Sequence, residues 1–236
     1  MSVALVQTSF SPNNNAGGNS ITWDFPANVQ LGSLVLLAIQ FASASFTNLA
    51  PSTISDTQGN TYTIVSSSLA QEFTDATWIQ AGVYFAWAFT SAAGTLSVTA
   101  NITGSGGYML MEMYELSGAN TTTPIDSAGT ATTNGTTSSA PTAGPVTTSQ
   151  PGEFGVVNFF NANGGPGNFN PGTGWTLDCA SGGGSTASWW QYQALASASS
   201  VSGVVTGSAD NYCLSMVWVQ PPSILHPSLM QFGVGF

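Results

Sequence analysis

Met109-Leu110-Met111-Glu112-Met113-Tyr114-Glu115-Leu116 is the stretch on which the fold turns. Met, Leu and Glu are good helix formers, so propensity alone favours a helix. The order of the residues favours a strand. Met stands at 109, 111 and 113, with other residue types between, and a period of two is what the two faces of a strand impose. Gly106-Gly107 before the run and Gly118 after it bound it as turns do. A strand here makes the chain all-β.

Working outward, the same alternation or β-branched runs recur at residues 4–8, 34–40, 61–67, 77–89 and 96–100. They return at 153–161, 175–179, 188–195, 201–206 and 212–219, with shorter pieces near Ile21, Ile125 and Val146. No segment combines a 3.6-residue period with helix caps. Many strands separated by Gly, Asn and Ser turns predict a jelly-roll-like antiparallel β-sandwich over residues 1–220, followed by a C-terminal extension. Residues 119–150 are nearly all Thr, Ser, Ala, Gly, Asn and Pro, and read as a long exposed connection between two halves. The halves share a pattern of strand, Gly-rich turn, Trp-bearing strand and long last strand, without a clean sequence repeat.

Composition narrows the function. Of 236 residues none is Lys or Arg, ten are Asp or Glu and one is His, giving a formal charge of −10. Nothing cationic is present to hold phosphates, so nucleic acid and anionic membrane surfaces are excluded as partners. There is no trypsin site, no Schiff-base lysine, and no ion pair except through His226 or the N-terminal amine. Ten acids on a folded surface lie beyond the Debye length of about 8 Å, so the surface is in effect neutral and polar. The 42% apolar content is ample for a core and argues against disorder. No run reaches the roughly 18 apolar residues of a membrane span. Met1-Ser2-Val3-Ala4-Leu5-Val6-Gln7 has neither the basic nor the apolar region of a secretory signal. Either a signal was removed and a Met added, or the protein leaves the cell another way, of which release by lysis inside an assembled particle is one.

Several segments share one family pattern. They are Leu34-Val35-Leu36-Leu37-Ala38, Ile54-Ser55-Asp56-Thr57-Gln58-Gly59-Asn60-Thr61-Tyr62-Thr63, Tyr84-Phe85-Ala86 and Ala93-Gly94-Thr95-Leu96-Ser97-Val98-Thr99. Glu112-Met113-Tyr114-Glu115-Leu116-Ser117-Gly118, Thr123-Pro124-Ile125-Asp126 and Gly172-Thr173-Gly174-Trp175-Thr176 continue it. Over residues 3–219 the chain resembles a family of largely uncharacterised bacterial and phage β-sandwich domains of secreted, surface and virion proteins. The resemblance implies a sandwich and carries no catalytic motif. The absence of cations and the extra tail depart from it.

Few residues suggest chemistry. Asp56, Gln58 and Asn60 alternate oxygen-bearing side chains around Gly59, as in a Ca²⁺ loop, but without its bidentate Glu; a hairpin turn in which Asp56 and Asn60 bond their own backbone explains them better. No other cofactor is indicated. Glu112 and Glu115 stand three apart and so on opposite strand faces, with Glu112 and Tyr114 in an outer polar row. A glycosidase would need two of Asp56, Glu72, Glu112, Glu115 and Asp178. Cys179 and Cys213 form a disulfide if their strands are neighbours, and are two separate buried thiols otherwise. Trp189, Trp190 and Tyr192 are candidate stacking residues for a polysaccharide, against the alternative of core packing. After Pro221-Pro222 the tail carries Leu225, Leu229, Met230, Phe232, Val234 and Phe236. These pack on the chain's own sandwich or dock on a second copy as an assembly arm.

The function expected is a non-enzymatic, self-associating subunit of an extracellular surface structure or phage-type particle: a coat, decoration or fibre protein. A glycan-binding module or adhesin is the alternative, and a glycoside hydrolase the third.

Overall fold

The structure, a computed structural model, describes residues 1–11, 18–44, 49–73, 80–104, 107–161, 169–181, 187–207 and 210–223. His226 and the expected arm lie outside the described residues.

The chain is nearly all strand. In the first half these are β1 (Ala4–Phe10), β2 (Ser20–Asp24), β3 (Leu34–Ser43), β4 (Pro51–Asp56), β5 (Thr63–Phe73), β6 (Gln80–Phe89), β7 (Ser97–Ile102) and β8 (Tyr108–Ser117). A 3-10 turn at Ser127–Gly129 precedes the second half. There follow β9 (Ala131–Ser138), β10 (Thr142–Thr147), β11 (Phe154–Asn161), β12 (Asn170–Pro171), β13 (Thr176–Ser181), β14 (Ala187–Ala194), β15 (Ser200–Thr206) and β16 (Asp210–Val219). The 109–116 run is β8, paired antiparallel with β1 and β3.

The strands form four antiparallel sheets. Two have five strands, in the orders β1-β8-β3-β6-β5 and β13-β14-β11-β16-β9, and two have three, β2-β7-β4 and β10-β15-β12. Adding eight to each strand number of the first half reproduces the order of the second. The residues agree with this duplication. Gly32 and Gly152 both take positive φ, 77° and 84°, at the same point before β3 and β11. Gly32 N–H donates to Thr90 O and Thr90 N–H to Ser33 O, while Gly152 N–H donates to Leu195 O and Leu195 N–H to Glu153 O.

Residues 119–150, expected as an exposed connection, therefore hold working parts of the second half. β9 pairs with β16 and β10 with β15. The short piece expected near Val146 is β10; backbone pairing needs no apolar side chain, so composition hid β9.

The layers follow from side-chain direction. On β3, Leu34, Leu36 and Ala38 enter a central core together with Phe154, Val156 and Phe160 of β11. The odd residues Val35, Leu37, Ile39 and Phe41 enter a second core against Val98, Ala100 and Ile102 of β7. In the second half, Val157 and Phe159 face Ala143 and Val205 in a third. The two five-stranded sheets thus pack face to face, each covered outside by a three-stranded sheet. This explains why β3 and β11 are buried along their whole length and carry almost unbroken apolar runs. One polar knot joins the central sheets: Gln40 Nε2 donates to Asn158 Oδ1 (2.8 Å) and Phe159 O (2.8 Å), and Asn158 Nδ2 to Ile39 O (3.0 Å).

At one margin of the central core β1 lies over β13, where Thr8 Oγ1 reaches Asp178 Oδ1 at 3.4 Å. At the other, β9 lies over β5, where Asn134 Nδ2 donates to Gln71 O. Since β9 corresponds to β1 and β13 to β5, the halves are related as by a two-fold axis.

Candidate functional site: an acid–thiol cluster between the halves

β8 supplies the first residues. Its even side chains Leu110, Tyr114 and Leu116 enter the central core, and Met109, Met111 and Met113 enter the outer one. Glu112 shares the even face and is 1% exposed. The outer polar row expected for Glu112 and Tyr114 is thus corrected. β8 has a sheet on both sides, so neither of its faces meets water.

β13 supplies the others. Leu177 pairs with Gln191 and Cys179 with Trp190, so Asp178 is the extra residue of a β-bulge. Consecutive strand residues ordinarily face opposite ways; a bulge re-aims them. Here Asp178 and Cys179 both turn to Glu112, and one donor atom from each of the three lies within 4.8 Å of the other two. Cys179 Sγ–H donates to Glu112 Oε2 at 3.0 Å. Phe10 and Trp190 pack beside the cluster with ring centroids 5.2 Å apart. The Tyr114 hydroxyl lies against the Asp178 carboxyl, and neither Tyr114 Oη nor Asp178 Oδ2 closes a well-formed hydrogen bond.

Burial dominates the electrostatics. It pushes the Glu112 carboxyl up to about 9, with the Asp178 charge adding to the shift and the Cys179 hydrogen bond opposing it. Burial also raises the Asp178 carboxyl, and the hydroxyl of Tyr114 well above its usual range. The Cys179 thiol rises through burial and then the Glu112 charge. At neutral pH the cluster therefore holds protons on Glu112, Cys179 and Tyr114. A thiol in that state is no nucleophile.

The corresponding place at the other margin is ordinary core. Counting from Leu116 and Val219, which oppose Leu34 and Phe154, Ser215 stands for Glu112 and Val217 for Tyr114. Val65, opposite Phe85, stands for Cys179 opposite Trp190. The duplication is broken here by a carboxyl, a phenol and a thiol; both strands are irregular, β13 at Asp178 and β5 between Val65 and Ala70.

The other expected sites fare differently. Asp56 is consumed by its own turn: Oδ1 accepts from Gln58 N–H (2.9 Å) and Asn60 N–H (3.1 Å), and Oδ2 from Asn60 Nδ2 (2.7 Å) and Tyr62 Oη (2.9 Å). Four donors on one carboxylate leave no room for Ca²⁺, and Asn60 Oδ1 turns to Ser91 N–H (2.8 Å). Trp189 and Trp190 are 2% and 0% exposed, in two different cores. Tyr192 is half-buried and stacks on Phe154, centroids 5.4 Å apart. The polysaccharide platform is thereby corrected, because strand alternation on a sheet covered on both sides buries both faces. Cys179 and Cys213 are not bonded to each other. β14 and β11 separate their strands, which puts them about 14 Å apart at the usual strand spacing, beyond disulfide reach.

Glu115 does face away from Glu112. Its Oε2 accepts from Gln7 Nε2 and its Oε1 from Gln30 N–H, both at 2.6 Å. Of the five acids named for a glycosidase, Glu112 and Asp178 come together, but at 1% exposure the Glu112 carboxyl is closed to a glycosidic oxygen. The side chain of Glu72 is outside the described ones. Sequence reasoning named Glu112 and Asp178 among five acids and Cys179 apart from them, and missed the union of the three, since the bulge that creates it leaves no mark in composition.

No family model, curated protein or solved structure matches this chain.

Proposed function

We propose that this protein is a non-enzymatic, self-associating structural subunit of an extracellular surface structure or phage-type particle. The observation that carries the reading is the strand order, present twice. In an eight-stranded jelly roll the first, eighth, third and sixth strands form one sheet, and the second, seventh, fourth and fifth the other, an architecture frequent in capsid and lectin domains. Each half follows this order, except that its fifth strand stays on its hairpin partner, the sixth. The analogy is one of fold, and folds host many functions. Composition adds support: neutral polar outer sheets without Lys or Arg suit a protein exposed to proteases and to wide changes of pH. The tail that begins at Pro221-Pro222, with its large apolar residues, is the candidate link between copies.

The test is assembly. Size-exclusion chromatography and negative-stain microscopy of the full chain should show regular oligomers or particles. Deletion of residues 224–236 should leave a folded monomer. A full chain that stays monomeric at high concentration would remove the proposal.

A further inference from the structure

We propose that Glu112, Asp178 and Cys179 form a divalent-cation site of the zinc type, which pins the two halves together where β1 lies over β13. The three donor atoms already lie within 4.8 Å of one another, so shifts of about 1 Å bring them to the 2.0–2.3 Å bonds that zinc makes with carboxylate and thiolate. A second observation is the neighbouring hydroxyl. Tyr114, with 0% exposure, turns its hydroxyl to Asp178, with Glu112 and Cys179 also around it, and closes no well-formed hydrogen bond there. A bound ion, or the water on its fourth position, gives that hydroxyl a partner. A third is the broken duplication: Ser215, Val217 and Val65 fill the equivalent place with no carboxyl, phenol or thiol, and Ser215 contributes a single buried hydroxyl.

The donor set selects the ion. One sulfur and two carboxylates suit Zn²⁺, and its stand-ins Co²⁺ and Cd²⁺. Mg²⁺ and Ca²⁺ demand six or more oxygens. Binding exchanges protons for metal: the ion replaces the proton of the Cys179 thiol and that of the Glu112 carboxyl, and both pass to solvent. Because β8 belongs to the first half and β13 to the second, the ion ties the halves without a disulfide. The inference stands independently of the assembly reading.

The experiment uses the full chain stripped by a chelator. Calorimetric titration with ZnCl₂ should give one ion per chain and raise the thermal midpoint by mass action. Titration with CoCl₂ should produce the near-ultraviolet sulfur-to-cobalt charge-transfer band. Cys179→Ser should abolish the band. Glu112→Gln, a neutral isostere of the protonated acid, should weaken Zn²⁺ at least tenfold while keeping the fold. Asp56→Asn should leave binding unchanged. Absence of saturable Zn²⁺ binding, cobalt bound without the band, or Zn²⁺ affinity unchanged in Glu112→Gln would each overturn the site. If Cys179→Ser does not fold, the band in the parent chain and the Glu112→Gln affinity decide.

Discussion

Single carboxyls show how burial outweighs charge in this chain. Glu153 is buried, with Oε1 accepting from Gln150 N–H (2.8 Å) and Ser149 Oγ (3.2 Å) and the Asp126 carboxyl beside it. Burial lifts its carboxyl from 4.5 to about 7, against the Gln150 hydrogen bond and with help from Asp126. A folded-state value above the unfolded one favours the protonated native form. The contribution is complete below about pH 4.5 and is lost as pH rises through about 7. The unfolding free energy from urea titrations should therefore fall between those limits, by on the order of 1–2 kcal/mol after allowing for nearby solvent. Glu153→Gln should flatten that slope; an unchanged slope in the variant would assign it elsewhere. At this scale the sequence told part of the story. Asp56 could be read as a turn residue because its partners are two to six residues away. Glu112 could not be placed, because its partners are about 65 residues away and on another sheet.

Between neighbouring strands, glycine makes room for aromatic rings. Gly82 on β6 opposes Phe41 on β3, and a Cβ built at Gly82 would stand 2.4 Å from Phe41 Cζ. Alanine ordinarily improves a strand by cutting backbone entropy. Here the clash decides the sign, and Gly82→Ala should cost about 1–3 kcal/mol, the usual range for an overpacked core. Denaturant titration of Gly82→Ala, Phe41→Leu and the pair checks this, because the pair should cost less than the sum of its parts. Additive costs would show that the ring is not the obstacle. The long strands were legible as elements because each buries an apolar face or two. β4 and β9 were not, since Pro51–Asp56 and Ala131–Ser138 are mostly polar and become strands only when β7 and β16 offer them an edge.

For the whole molecule, the absence of cations reverses the usual response to acid. Most proteins unfold in acid because native carboxylates lose their cationic partners. This chain has no Lys or Arg to lose, and Glu112, Asp178 and Glu153 prefer the protonated form when folded. Near-ultraviolet circular dichroism should show native packing at about pH 3, with destabilisation appearing on the alkaline side. A cooperative loss of signal between about pH 5 and 3 would contradict the argument. Nearing zero charge also removes repulsion between copies, so light scattering should rise as the pH falls.

Local information settled the fold class: alternation, Gly-bounded runs and the lack of helical periodicity are short-range properties, and they specify strands and sandwich-like packing. Composition likewise settled the chemistry denied to the protein, since no arrangement creates a cation from residues that are absent. The tertiary structure alone decided which strands stack. The duplication survives as strand order and turn geometry, marked in sequence by little beyond Gln30–Gly32 against Gln150–Gly152. It buries Trp189 and Trp190 and separates Cys179 from Cys213. It also gathers Glu112, Asp178 and Cys179, because only the meeting of two sheets and one bulge brings residues so distant in the chain together.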